Sequence, residues 1–123
     1  MSFFDLFKND TDLIEIESGN ALFREGDYGD VMYVLVEGEA NIFIGGILFE
    51  KCTPGSILGE IAVIDQAPRY ATVIATNKCK FATVDEKRFH FLLDEAPGFA
   101  IAIMRVMADR LKRCDLRVIQ SEK

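Results

Sequence analysis

Glu60 and Arg69 stand nine residues apart in the stretch Leu58-Gly59-Glu60-Ile61-Ala62-Val63-Ile64-Asp65-Gln66-Ala67-Pro68-Arg69-Tyr70-Ala71-Thr72-Val73, on either side of one short turn of helix. The residue types suit a small phosphorylated sugar. Gly59 lets backbone approach a ligand closely, and a helix opening just after it leaves N–H donors and a partial positive charge at its first turn. Arg69 follows the Pro68 turn with a planar fork of donors that matches two phosphate oxygens. Glu60 is acceptor only and suits a ribose hydroxyl. Two plainer roles also fit: Arg69 as a surface arginine after a proline turn, and Glu60 as a first-turn acid that complements the helix dipole.

These side chains need a scaffold, and 123 residues with 50% hydrophobic and 28% charged composition supply one ordinary globular domain. Eight of the nine glycines fall between Gly19 and Gly59, punctuating short apolar runs in the rhythm of a barrel or jelly roll. Strands are expected at Leu13 to Glu17, Ala21 to Arg24, Val31 to Val36, Ala40 to Ile44, Ile47 to Cys52, Tyr70 to Thr76 and Lys80 to Asp85, with Gly45-Gly46 as a tight hairpin. Phe3 to Phe7 reads as a short helical turn packed on the barrel.

After Asp85 the apolar spacing becomes helical, with Asp85-Glu86-Lys87 opening one helix and Pro97-Gly98 separating it from a longer one. The predicted fold is therefore mainly β with C-terminal α. A β-roll or jelly-roll barrel of about eight strands over roughly residues 12–85 precedes two helices over roughly 86–121, in a single domain 1–123. In the last helix Met104, Leu111 and Val118 recur every seven residues, with Met107 and Cys114 offset by three. That stripe either packs on the chain's own barrel or pairs two copies. Asp109 and Arg113 form an i,i+4 pair.

The cassette around Gly59, Glu60, Arg69 and Tyr70 resembles the cyclic-nucleotide-binding domain family, in which Phe/Leu-Gly-Glu-Leu/Ile-Ala is followed by a short loop and Pro-Arg-x-Ala-Thr/x-Val. Gly26-Asp27-Tyr28-Gly29-Asp30, then Met32 to Gly38, resemble the family's glycine-acidic turn, hydrophobic strand and closing glycine. The likeness runs from about Asp12 to about Lys112. It implies a cyclic nucleotide as ligand, Arg69 on the exocyclic phosphate oxygens and Glu60 on the ribose 2′-hydroxyl. Gly59, Ile61, Ala62, Tyr70 and Ala71 would serve through backbone N–H groups and as walls. Val63 would be a hydrophobic latch against the first C-terminal helix. Tyr70 departs from the Ala, Ser or Thr usual after the arginine: it could stack on the ligand, point outward or obstruct the pocket. Members preferring cyclic GMP often carry Ser or Thr there, so the resemblance leans toward cyclic AMP. Alternation puts Thr72 on the same face as Tyr70.

The resemblance further implies a sensor without catalysis, whose ligand shifts the C-terminal helices toward an unknown downstream protein or a dimer mate through the 97–120 helix, with no helix-turn-helix DNA-binding domain. The rival reading is an interaction module on the same fold with a degenerate pocket. A net charge of −6 argues against direct nucleic-acid binding. No run has the apolar length of a membrane span, and Met1-Ser2-Phe3-Phe4-Asp5 lacks a signal peptide's basic start, so a cytoplasmic address is expected. Cys52, Cys79 and Cys114 are scattered without a CxxC pair and are read as reduced, mostly buried thiols. His90 is the only histidine, which argues against a metal-dependent cupin-like enzyme, a haem or iron–sulfur sensor, and any serine nucleophile needing a base. No metal or cofactor is expected.

Overall fold

The computed structural model describes residues 2–121, the last seven of them by their helical backbone alone. A short helix α1 (Phe3–Phe7) leads into strands β1 (Ile14–Ile16), β2 (Ala21–Phe23), β3 (Met32–Glu37), β4 (Ala40–Ile44), β5 (Ile47–Cys52) and β6 (Ile57–Leu58). Then come helix α2 (Glu60–Asp65), strands β7 (Thr72–Ala75) and β8 (Cys79–Val84), and helices α3 (Glu86–Glu95) and α4 (Phe99–Ser121). The strands form two antiparallel four-stranded sheets, ordered β1-β8-β3-β6 and β2-β7-β4-β5, in a jelly roll. Gly45 and Gly46, at φ 58° and 78°, make the hairpin between β4 and β5, where both central residues need positive φ.

Strand alternation divides the core in two. Tyr33 and Leu35 of β3 and Phe81 of β8 face the barrel interior with Phe23, Ile42 and Val73. Met32, Val34, Ala82 and Val84, one step out of phase on the same two strands, face a second cluster with Val63, Phe89, Leu92, Phe99 and Ile103 from the helices. Because β3 is covered on both faces, its residues 32–36 read as a continuous apolar run instead of an alternating one. Asp85 caps α3, its carboxylate accepting from the Arg88 N–H at 2.8 Å. Arg88 in turn reaches Asp10 with two bonds, 2.8 and 2.9 Å, tying the segment after α1 to α3.

The strand missing from the sequence reading is β6, whose two residues are too few to show a period. The last helix behaves as two faces. Met107 packs with the helical core, whereas Met104 and Leu111 are 54% and 63% exposed. They therefore do not pack on the chain's own barrel, and the Val118 side chain lies outside the described residues. No helix among the described residues is long and apolar enough to cross a membrane.

Gln66 closes α2 in the left-handed region at φ 47°, the one non-glycine residue among those described with positive φ. Its N–H bonds the Ala62 carbonyl, and its side chain donates to Glu86 at 3.1 Å in solvent. Relief of the Cβ clash outweighs the exposed hydrogen bond and the extra entropy of glycine. Gln66→Gly is expected to stabilise the domain by about 0.5 kcal/mol in urea denaturation.

Candidate functional site

Gly59 links β6 to α2 at φ 74° and stands at the helix start with no side-chain cap, so no side chain serves the first amides of α2, of which Ala62 bonds the Gly59 carbonyl at 3.2 Å. Arg69 arrives on the other side of the loop with its backbone pinned. Its N–H donates to the Asp27 carbonyl and its carbonyl accepts from Gly26, both at 2.8 Å. The side chain then runs inward between two glycines. A Cβ on Gly29 would stand 2.3 Å from the Arg69 Nε, and one on Gly59 2.3 Å from an Nη. The Gly29 and Gly59 positions are therefore channel walls for the guanidinium, not merely flexible turns.

The guanidinium is 7% exposed and donates to the Gly59 carbonyl at 3.3 Å, while its Nε is buried without a partner. Burial lowers its pKa, and Tyr33, Asp30 and Asp27 offset only part of that. A buried arginine without a carboxylate on its fork is costly unless an anion completes it.

Glu60 is also buried, 1% exposed, but it does not face Arg69. Its carboxylate accepts from Arg110 of α4 at 3.0 Å. Arg110, 5% exposed, also donates to Glu50 of β5 at 3.2 and 3.0 Å and to the Ile57 carbonyl at 2.7 Å. Arg113 joins Glu50 and, at 2.9 Å, Asp109. Glu60 thus belongs to an ion-pair network that fastens α4 over the cassette, and its carboxylate is paired with Arg110 instead of Arg69.

Burial works against Glu50 ionisation, yet hydrogen bonds and charge from Arg110 and Arg113 outweigh it, and the Glu50 pKa falls below its ordinary 4.5. A carboxylate depressed on folding stabilises above its unfolded pKa and loses that contribution as pH drops through the folded value. Thermal melts should accordingly show the wild-type chain losing more stability below pH 4.5 than Glu50→Gln does, starting from the ordinary glutamate value.

The predicted residues Gly59, Ile61, Ala62, Arg69, Tyr70 and Ala71 line one cleft with Phe23 and Arg110. Its volume is about 340 Å³ including the open mouth, but the enclosed void is only about 10 Å³, room for one water. Tyr70, 44% exposed, stands at the mouth. Burial first, then the Glu60 charge, push its phenol up to about 12. Thr72 is not part of the cleft: its hydroxyl accepts from the Glu25 N–H at 3.0 Å. Val63 packs with Phe89 and Leu92 of α3. His90 is exposed on α3, 3.9 Å from Glu86 and remote from the cleft lining. Cys52 and Cys79 are buried and Cys114 half-buried, all three as free thiols.

Sequence reasoning missed Arg110, Phe23 and Tyr33. Arg110 carried one usable signal, since it lies seven residues after the buried Ile103 and so falls on the core-facing side of α4.

The sequence profile described as "Cyclic nucleotide-binding domain" matches residues 13–96. A cAMP-dependent protein kinase regulatory subunit of Yarrowia lipolytica is 35% identical over 77 residues, 63% of this chain and 20% of that protein. A cGMP-dependent protein kinase of Plasmodium berghei is 29% identical over 98 residues, 80% of this chain and 11% of that protein. The chain thus spans about a fifth or less of the length of these curated relatives. Among solved structures, the catabolite activator protein of Thermus thermophilus superposes with a TM-score of 0.82 at 22% identity, covering 98% of this chain and 59% of that one. With a family profile over most of its length and a jelly-roll fold, the chain belongs to the cyclic nucleotide-binding domain family.

Proposed function

We propose that the domain is a cyclic AMP sensor in which Arg69 and the first amides of α2 take the cyclic phosphate and α4 carries the output. The observation supporting this most is Arg69 itself, buried, cationic and lacking an ion-pair partner among the described residues, at the open start of a helix. Pockets for ligands of this class run to several hundred Å³, and the enclosed void here is about 10 Å³. An occupant must displace a wall, and the lining offers Tyr70, 44% exposed, and Arg110 of α4, whose bonds to Glu60 and Glu50 would have to yield. A ribose hydroxyl competing for Glu60 would loosen the same bond that fastens α4. Val63, packed on Phe89, gives α2 a second contact with α3. Ligand affinity for the displaced arrangement would then set the helix equilibrium.

The base choice rests on Tyr70, which offers no short hydroxyl after Arg69, and favours the adenine ring. Thermal denaturation across a panel of cyclic mononucleotides tests occupancy and base together. A ligand at 100-fold its Kd adds about 2.7 kcal/mol if it binds only the folded state, and the largest shift is expected for cyclic AMP. No shift with any cyclic nucleotide would reject the reading.

A second reading, a dimerisation module, is favoured by Ile101, Met104 and Leu111, exposed along one stripe of α4. Sedimentation with and without cyclic AMP separates the two, because a pure scaffold shows no ligand-dependent change.

A further inference from the structure

Phe23 meets Arg69 in a manner that binding a phosphate does not by itself require. The guanidinium carbon lies 4.3 Å over the Phe23 ring centroid and 5.7 Å from that of Tyr33. The two rings stack 6.2 Å apart with an interplanar angle of 29°. Arg88 and Arg113 also lie over phenylalanine rings, 4.9 Å from Phe7 and 4.7 Å from Phe49, but both meet carboxylates as well, as Arg110 does with Glu60 and Glu50; Arg69 has the ring and no carboxylate among the described residues. A carboxylate uses up the donor edge and cancels the charge, so such an arginine has little left for a ligand. An aromatic face attracts the cation through its quadrupole while leaving the N–H donors free. At Arg69 the result is visible in the buried Nε, without a partner among the described residues, the rest of the guanidinium meeting only the Gly59 carbonyl at 3.3 Å and the Tyr33 hydroxyl.

Resting on the reading of Arg69 as the phosphate ligand, we propose that Phe23, backed by Tyr33, is the positioning residue that holds the Arg69 guanidinium inside the cleft with its donor edge unspent. Phe23 comes from β2 and Tyr33 from β3, so the two sheets jointly set where the cation waits. A leucine at 23 would refill most of the volume, being apolar and of similar size, but would offer no ring face.

The test uses the whole chain, labelled with ¹⁵N, in two measurements. In the free wild-type protein the Arg69 Nε–H resonance, identified by its loss in Arg69→Lys, should be shifted upfield by the rings, and Phe23→Leu should return it toward the position of an unstructured arginine. In calorimetric titration with cyclic AMP, Phe23→Leu should weaken binding about five- to tenfold, and Phe23→Tyr should stay within about twofold of wild type. Phe23→Leu should cost nothing further in an Arg69→Gln background. A wild-type resonance at the unstructured position overturns the proposal, and this holds even if Phe23→Leu fails to fold. Wild-type affinity in a folded Phe23→Leu, or an equal loss with and without Arg69, overturns the positioning role alone. If the wild-type chain binds neither a cyclic nucleotide nor inorganic phosphate, the reading of the site falls and takes this proposal with it.

Discussion

Arg69→Gln is expected to reduce cyclic nucleotide affinity about a hundredfold while leaving the fold intact. Each hydrogen bond to a charged group contributes roughly 1.5–3 kcal/mol, and the fork can give two to a phosphate, so about 3 kcal/mol is the lower estimate. At about 1.4 kcal/mol per tenfold, that is two decades in Kd by titration calorimetry. The sign for stability is opposite. Arg69 is 7% exposed with an orphaned Nε and no ion-pair partner among the described residues, so the free protein carries its desolvation cost. Arg69→Met removes that cost and keeps the apolar stem against Phe23. Its melting temperature should rise by a few degrees, equivalent to about 1 kcal/mol. A variant that loses both affinity and stability would show that Arg69 is a structural residue and not a held-ready ligand.

Arg110→Met should produce the largest loss of stability, about 3–5 kcal/mol in urea denaturation, because it leaves Glu60 buried without its cation. Arg110 donates at 3.0 Å to Glu60, at 3.2 and 3.0 Å to Glu50 and at 2.7 Å to the Ile57 carbonyl, so one substitution strands Glu60 and the Ile57 carbonyl and leaves Glu50 with Arg113 as its one cation among the described residues. Charge, not size, is the cause. The double variant Glu60→Gln with Arg110→Met should therefore recover a large part of the loss, since no buried carboxylate remains at position 60. α4 should also become sensitive to proteolysis in the single variant, as its fastening to β5 and α2 is gone. If the double variant is no more stable than Arg110→Met alone, the Glu60 to Arg110 bond is not what holds the helix down. Arg110 lines the cleft and anchors α4 at once.

What could be read along the chain was what local sequence encodes. Glycines at 45 and 46, where only positive φ closes the hairpin, placed one strand boundary, and Asp85 with its carboxylate on the Arg88 N–H placed the start of α3. Alternation found the long strands, the change to helical spacing found the helices, and the run from Gly59 to Ala71 contained the cleft-forming segment. These signals depend on residues within a few positions of each other, where chain connectivity does the aligning. The two-residue β6 escaped because a period needs more residues than it has. The partners of the two key charges escaped for a different reason. Glu60 finds Arg110 fifty residues away, and Arg69 lies over Phe23 of β2 and Tyr33 of β3, strands of the two opposite sheets. Nothing in the spacing of Glu60 and Arg69 distinguishes a pair that shares a ligand from two charges with separate partners. That choice is made when barrel closure and the return of α4 bring distant side chains to a few ångströms, at which distance a buried charge takes whichever counter-group is there.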